Sequence, residues 1–411
     1  MKNLNLKITG FNRVLLREIQ LIKSDINILM VILLAPLFYA FFYPSIYVHK
    51  TEHDVPIVVV DQDKSALSAD LIRYLDIHQL TKVTETVTDL EQAKDRIYSM
   101  ATEGIIYIPD GFESNLKSGS GTDLKVYINT NRFLISNDIN KAVNEVIGTM
   151  GAGIRLSYFR TNGNSFEQAI ELIEPVRGDI RPMFNPSESY GDFLIPGLLV
   201  LIIQQTLLIG LSESMAKERE KHTLGNLFET ANRSIWATIA GKASFFILLF
   251  GSYSFFMFTV LFKVFKLNFA GSKSALFVLT FLFLLSVIFL SLFVSSFFKR
   301  KILSMQFFVF TSYPIFLLSG YSWPLQSMPA MLRTFAYVLP GTPYLNAVVR
   351  ITQMNAGWNH ILPELLLLAI LTLSGLLLTR LRMKQLINQE LNENLQSPFF
   401  GMMSLFRLKR S

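Results

Sequence analysis

Six stretches of this chain are apolar for so long that water cannot be their solvent, and every other reading of the sequence follows from them. They run approximately over 26–46, 193–212, 243–262, 275–298, 302–320 and 361–379. A helix crossing the hydrocarbon core needs about 20 mostly apolar residues, because nothing in lipid satisfies a free backbone amide. None of the six carries a central charge. With 51% hydrophobic and only 17% charged residues over 411 positions, an ordinary water-soluble globular protein is excluded. The first stretch is longer than a signal-peptide core, and Pro44-Ser45-Ile46-Tyr47 offers no small-residue cleavage site, so it reads as a retained anchor. The expected fold class is an α-helical polytopic membrane protein with six transmembrane helices and an inserted α/β extracytoplasmic domain.

Lys and Arg set the orientation, since they accumulate in cytoplasmic segments close to the spans. Residues 1–25, 213–242, 299–301 and the tail after Thr379 hold nineteen of them, whereas the short loops on the opposite side hold five. Both termini are therefore expected in the cytoplasm, with the chain in the cell inner membrane. Residues 47–190 carry a net charge of −7, leaving +14 on the rest of the chain. That positive charge borders lipid and can meet anionic headgroups; nucleic acid is not an expected partner.

The first 25 residues place Leu4, Ile8, Phe11, Leu15, Ile19 and Ile22 at helical spacing, which predicts an amphipathic helix lying along the membrane surface. The long segment 47–192 is polar enough to fold in water as a domain. There, 55–60, 81–87, 104–109 and 124–128 read as strands. Helices are expected over 65–76, capped by Ser65, and over 89–100, with Leu90, Ala93, Ile97 and Met100 on one face. Asp61 and Asp63 follow the first strand, where a turn and a helix cap account for them better than acid–base chemistry. After Asn131 the pattern is helical to about Arg160, and again over 165–173, suggesting stalk helices that return the chain to the bilayer before a 175–186 linker.

Between the second and third spans, 213–234 reads as a cytoplasmic loop whose Leu224, Leu227 and Phe228 give a short helix one apolar face. Between the fifth and sixth spans, 322–360 is too polar for a full crossing. Its stretches 328–338 and 344–353 read as short re-entrant helices, and the tail occupies 380–411. Much chemistry is missing. No G-x-x-x-x-G-K-[ST] loop, G-x-S-x-G elbow or H-E-x-x-H pair occurs. With no cysteine, thiolate metal sites and disulfides are excluded. His49 and His53 at i, i+4 could clip a metal only if helical, and a solvated collar explains them as well. No catalytic residue, bound cofactor or metal site is assigned to this chain.

The order of parts and three motifs identify a resemblance. Val58-Val59-Val60-Asp61-Gln62-Asp63-Lys64-Ser65-Ala66-Leu67-Ser68 with the later Ile106-Tyr107-Ile108-Pro109-Asp110-Gly111-Phe112, the loop Glu218-Arg219-Glu220-Lys221-His222-Thr223-Leu224, and the run Ser319-Gly320-Tyr321-Ser322-Trp323-Pro324, Met328-Pro329, Pro340 to Arg350 together resemble the permease subunit of type 2 ABC exporters with a large extracytoplasmic domain after the first span. His222 stands where that family usually has Gly, Gly225 where it often has Glu, and Ala231 where Pro commonly follows Thr. The resemblance implies export of a substrate from the cytoplasm or membrane, powered by ATP and Mg held on a separate cytoplasmic ABC ATPase subunit. It also implies a dimer with a second permease copy or a sister permease, and the external domain could dock a periplasmic adaptor. Under this reading Glu218, Glu220, Thr223, Leu224 and Leu227 form the ATPase-coupling element, the leucines seated in an ATPase cleft and the carboxylates at its rim. Gln204 and Gln205, costly in lipid, are candidates for the transport pathway, the dimer seam or packing between helices. A receptor or assembly scaffold with a sensing domain is the alternative; against it, the 32 residues after Thr379 are too few for a signalling domain.

Overall fold

The computed structural model describes residues 9–48, 52–173, 181–186 and 188–396. Leu4, Ile8, His49 and Pro175, and the tail beyond 396, lie outside the described residues. The chain divides into two compact units, Met1–Val48 with Met183–Ser411, and His49–Pro182. It opens with helix α1 (Gly10–Lys23), capped by Thr9. Helix α2 (Ile26–Ile46) follows at once, its first turn capped by Asp25, whose carboxylate accepts from the Asn27 amide at 3.2 Å. Residues Met30–Leu34 of α2 form a π-helical turn.

The inserted unit is built on a four-stranded sheet of order β2-β1-β3-β4. Strand β1 (Val55–Asp61) leads through α3 (Ala66–Ile77) to β2 (Thr81–Val87), and through α4 (Leu90–Tyr98) to β3 (Gly104–Ile108). The short helix α5 (Phe112–Lys117), which periodicity did not indicate, precedes β4 (Lys125–Ile128); α6 (Phe133–Thr161) and α7 (Phe166–Ile173) complete the unit. β1 pairs in parallel with both β2 and β3, and β4 runs antiparallel to β3. Because β2 and β3 flank β1 on opposite sides, crossovers of one hand place α3 and α4 on opposite faces of the sheet. Burial follows: Leu71 and Leu75 of α3 pack with Ile57, Val59 and Ile106, while Ala93 of α4 packs with Val58, Val60 and Ile105. With both faces covered, β1 is a continuous apolar run rather than an alternating one. Ile139, Val143 and Val146 join the α3 side, so the first half of α6 is part of the domain core. Met100 departs from its expected place on the α4 face: it lies past the helix end, at positive φ, and is exposed.

Asp61 and Asp63 are turn formers. Asp61 Oδ1 accepts from the amides of Asp63 and Lys64 at 3.0 Å each, and its Oδ2 accepts from Ser68 Oγ at 2.8 Å. Ser65 and Ser68 complete a capping box at the start of α3. Asp63 reaches the Glu113 amide at 3.0 Å, and hydrogen bonds from Ser65 and then from the amides of α5 hold its carboxyl below the usual range.

The membrane-type unit continues with α8 (Tyr190–Glu220), a short α9 (Leu224–Thr230) and α10 (Ile235–Val264), then α11 (Lys273–Ser295) and α12 (Lys301–Leu318). After a 3-10 turn come α13 (Ala330–Ala336), α14 (Gly341–Thr352) and α15 (Trp358–Gln396). Serines start three of the long helices, Ser189, Ser234 and Ser272 each accepting from an amide three residues on. Among the described residues six helices are long and apolar enough to cross a membrane, so this is a polytopic helical membrane protein with an inserted α/β part. α8 is the centre: 78% of its apolar stretch is buried, against 11% for α12. It packs against α2, α11 and α12. Hydroxyls tie spans together, Ser291 Oγ donating to the Leu208 carbonyl at 2.9 Å and Thr379 Oγ1 to that of Phe289 at 3.0 Å.

Three expectations are corrected here. α1 has a protein-facing side that the amphipathic pattern did not indicate; it packs along α10, and a Cβ on Gly241 would come within 2.5 Å of Val14. Its fully buried ridge is Gly10, Val14, Glu18 and Ile22; Ile22 of the expected stripe lies on it, whereas Phe11, Leu15 and Ile19, each one position past a ridge residue, are only half-buried. Second, 213–234 is not a loop throughout, since α8 runs unbroken to Glu220. Third, the last helix does not stop at Thr379: α15 continues with Met383, Leu386 and Ile387 buried.

Candidate functional site

The residues singled out for coupling converge where α1, the end of α8, α9 and α10 meet. Glu218 has no exposed surface, and it receives both arms of Arg17, Nη1 to Oε1 at 2.5 Å and Nη2 to Oε2 at 2.9 Å. The forked geometry suits a carboxylate and is the strong form of such a pair. Thr223 Oγ1 also donates to Glu218 Oε2, closing the turn from α8 into α9. At the next residue of α1, Glu18 accepts from Lys242 Nζ at 2.6 Å, while Ser214 Oγ accepts from the same ammonium at 2.8 Å and donates to Glu18. All three side chains are fully buried. Asp25 accepts from Lys217 and Lys301 at 2.9 Å each. Burial opposes its charge, but the hydrogen bonds and charges of the two lysines outweigh it and bring the carboxyl down to about 2. Four ion pairs, the Lys242–Glu18 pair fully buried, thus bind α1 and the turn that follows it to α8, α10 and α12.

The structure reverses the expected role of the leucines. Leu224 and Leu227 are buried inside this chain's own core, where α9 packs against α15 and α1, and Glu390 Oε1 accepts from the Gly225 amide at 3.1 Å. An apolar trio at i, i+3, i+4 seeks the nearest apolar wall, and the extension of α15 supplies it. Glu218 is likewise interior rather than at a rim. Glu220 is exposed and accepts from the Lys301 amide at 2.7 Å, starting α12. Lys221, His222, Asn226, Glu229 and Arg233 make the outward face, and it is polar. His222 sits at φ +52°, a left-handed position that explains why glycine suits it. Sequence reasoning missed Arg17, Glu18, Asp25, Ser214 and Lys242; the available signal was an acid in the middle of an apolar helical face.

Gln204 and Gln205 are both buried within the single chain. Gln204 Oε1 lies 2.4 Å from where a Cβ on Gly341 would stand, so the absence of a side chain there lets α14 close on α8. Among the described residues the Gln205 amide has no hydrogen-bond partner.

The run from 319 to 350 makes turns and one ion pair. Ser319 Oγ accepts from the Tyr321 amide at 3.3 Å, and Gly320 takes φ +80°. Pro324 opens the 3-10 turn, Met328 closes it in extended conformation, and Pro329 and Pro340 precede α13 and α14. Arg350 pairs with Glu364 at 2.8 Å. Gly320, Tyr321, Pro324, Arg350 and Glu364 line a cleft of about 580 Å³ with Phe193, Tyr337 and Asn346.

A family model described as ABC-2 family transporter protein matches residues 26–381. The chain belongs to that family. It is similar to the probable multidrug ABC transporter permease YbhR of Escherichia coli strain K12, 27% identical over 195 residues, covering 46% of this chain and 52% of the relative. It is also similar to YbhS of the same strain, a probable multidrug ABC transporter permease, at 27% over 190 residues, covering 46% and 48%. ABC transporter G family member 20 of Dictyostelium discoideum is 24% identical over 195 residues, 47% of this chain and 27% of that protein. The match spans about half the length of the two bacterial relatives. In this ABC-2 family member the ion-paired elbow and the cleft are both built from residues inside the matched range, apart from α1, Asp25 and Glu390.

Proposed function

We propose that this chain is the permease subunit of an ABC exporter, moving its substrate out of the cytoplasm or membrane with ATP and Mg bound on a separate ATPase subunit. Six crossing helices make half a pathway, so the working unit is a dimer with a second copy or a sister permease. It sits in the inner membrane with both termini cytoplasmic, as the distribution of Lys and Arg supports. The names of the two bacterial relatives support drug-type small molecules as cargo.

The observation that carries the reading is the elbow. Its ion pairs join α1, α8, α10 and α12 into one body, so a push delivered at this end moves the central helix α8 and its neighbours together. The ATPase docks on the polar outward face, Lys221, Asn226, Glu229 and Arg233, while Glu218, Thr223, Leu224 and Leu227 hold that face in position. Glu220 bridges the two roles. Because exposed interface charges act chiefly on docking, Glu229→Arg combined with Lys221→Glu should uncouple nucleotide hydrolysis from export. The test is ATPase and transport assayed together on the reconstituted complex, with thermal unfolding as control. Unchanged export by a normally folded double variant sinks the docking assignment.

A further inference from the structure

We propose that the cleft at the start of α8 is a binding site for an anionic amphiphile, a molecule with a phosphate- or carboxylate-type head and an apolar tail. This goes beyond the export reading and does not rest on it. The cleft encloses about 580 Å³, within the range of small-molecule sites. One wall is aromatic: the Phe193 and Tyr321 rings stack with centroids 5.2 Å apart and planes 4° from parallel, and Tyr337 and Leu367 continue the lining.

The charged floor decides the sign of the ligand. Arg350 Nη1 donates to Glu364 Oε1 at 2.8 Å and to the His360 carbonyl at 2.9 Å. The Arg350 side chain is 40% exposed, the Glu364 side chain 12%. Both residues line the cleft and the guanidinium is the more accessible of the two charges, while Glu364 Oε2 is out of reach of solvent and has no hydrogen-bond partner among the described residues. An entering molecule meets the remaining N–H groups of Arg350, in a fork suited to phosphate or carboxylate. Asn346, Ser322 and Gln326 stand in the same lining as neutral donors, and Glu364 is its sole carboxylate. A cation would have to pass the guanidinium to reach Glu364, whose Oε1 is held by Arg350 and whose other oxygen is buried. The tail follows from the flanks: Trp323 and Val338, each next in sequence to a lining residue, are 59% and 52% exposed, and Trp is a residue of headgroup-level belts.

The experiment is native mass spectrometry of the full chain in a neutral detergent, titrated with phosphatidylglycerol, phosphatidylcholine, inorganic phosphate or dodecyltrimethylammonium. Phosphatidylglycerol should bind tighter than phosphatidylcholine. Arg350→Gln should weaken it on the order of ten- to hundredfold, the worth of a hydrogen bond to a charged group, and Arg350→Lys by less. Glu364→Gln should tighten it, because the buried carboxylate no longer competes for the guanidinium. These opposite signs separate recognition from damage, since both variants break the same ion pair. Equal losses in the two variants, or no preference for the anionic lipid, overturn the proposal. So does a cationic detergent that binds in a Glu364-dependent way. Inorganic phosphate binding as tightly as the lipid, and depending on Arg350, would overturn the amphiphile assignment by showing that a soluble anion is the source of the head.

Discussion

Lys242→Met is the sharpest probe of how α1 is held. The Lys242 ammonium and the Glu18 carboxylate are 2.6 Å apart and fully buried. At an effective dielectric near 20 their gross attraction is about 6 kcal/mol, most of it offset by the cost of taking both charges out of water. Removing one partner leaves that cost without its compensation, an expected loss of about 3–5 kcal/mol. Replacing both, Lys242→Met with Glu18→Leu, leaves no stranded charge, though Ser214 loses its partners; the double variant should return to within about 1–2 kcal/mol of the parent. At roughly 2–4 °C per kcal/mol for domains of 150–250 residues, the single variant should lower the melting temperature on the order of 10 °C. Thermal unfolding of the purified protein in detergent, followed by size-exclusion fluorescence, reads both numbers. A helix merely lying on lipid would leave Glu18 hydrated, and Lys242→Met would then cost nearly nothing. A shift under about 2 °C, or a double variant as unstable as the single, refutes the packed arrangement.

Three further outcomes follow from the same end of the molecule. Gly241→Val drives a side chain into Val14 and should destabilise by about 1–3 kcal/mol, with partial rescue by Val14→Ala in the same melting assay. Asp25, lowered to about 2 from an ordinary 3.8, contributes stability that is complete above pH 4 and lost as pH falls from about 4 to 2. The loss approaches about 2 kcal/mol; Asp25→Asn should abolish that acid limb of a stability–pH curve while lowering stability at neutral pH. His222→Gly, at φ +52°, should leave stability unchanged or raise it by up to about 1 kcal/mol, whereas His222→Val should lower it by about 1–2 kcal/mol, measured as denaturation midpoints.

The spans and the α/β unit were legible because each rests on a local pattern: long apolar runs, serines at helix starts, and strands of β-branched residues between turn formers. What the sequence concealed was which face meets which wall. Phe11, Leu15 and Ile19 of the expected stripe are apolar, yet the ridge that packs sets Val14 and Glu18 beside Ile22, because Ser214 on α8 and Lys242 on α10 wait to satisfy Glu18. A solitary acid on an apolar face has no local meaning until its partner is placed 224 residues away. Leu224 and Leu227 misled for a related reason. Three cations after Thr379 made the last span look finished, while Met383, Leu386, Ile387 and Glu390 carried the helical period on and formed the wall that covers them.

Helix α8 reaches from Phe193 in the cleft to Glu218 in the elbow, 25 residues that at 1.5 Å each make a rod of about 38 Å. Whatever lodges against the aromatic ring at its head and whatever presses near the carboxylate at its foot would share a single pushrod. Thermodynamic reciprocity then requires that if cargo or lipid at one tip alters nucleotide affinity in the ATPase, nucleotide alters the grip on that molecule by the same factor.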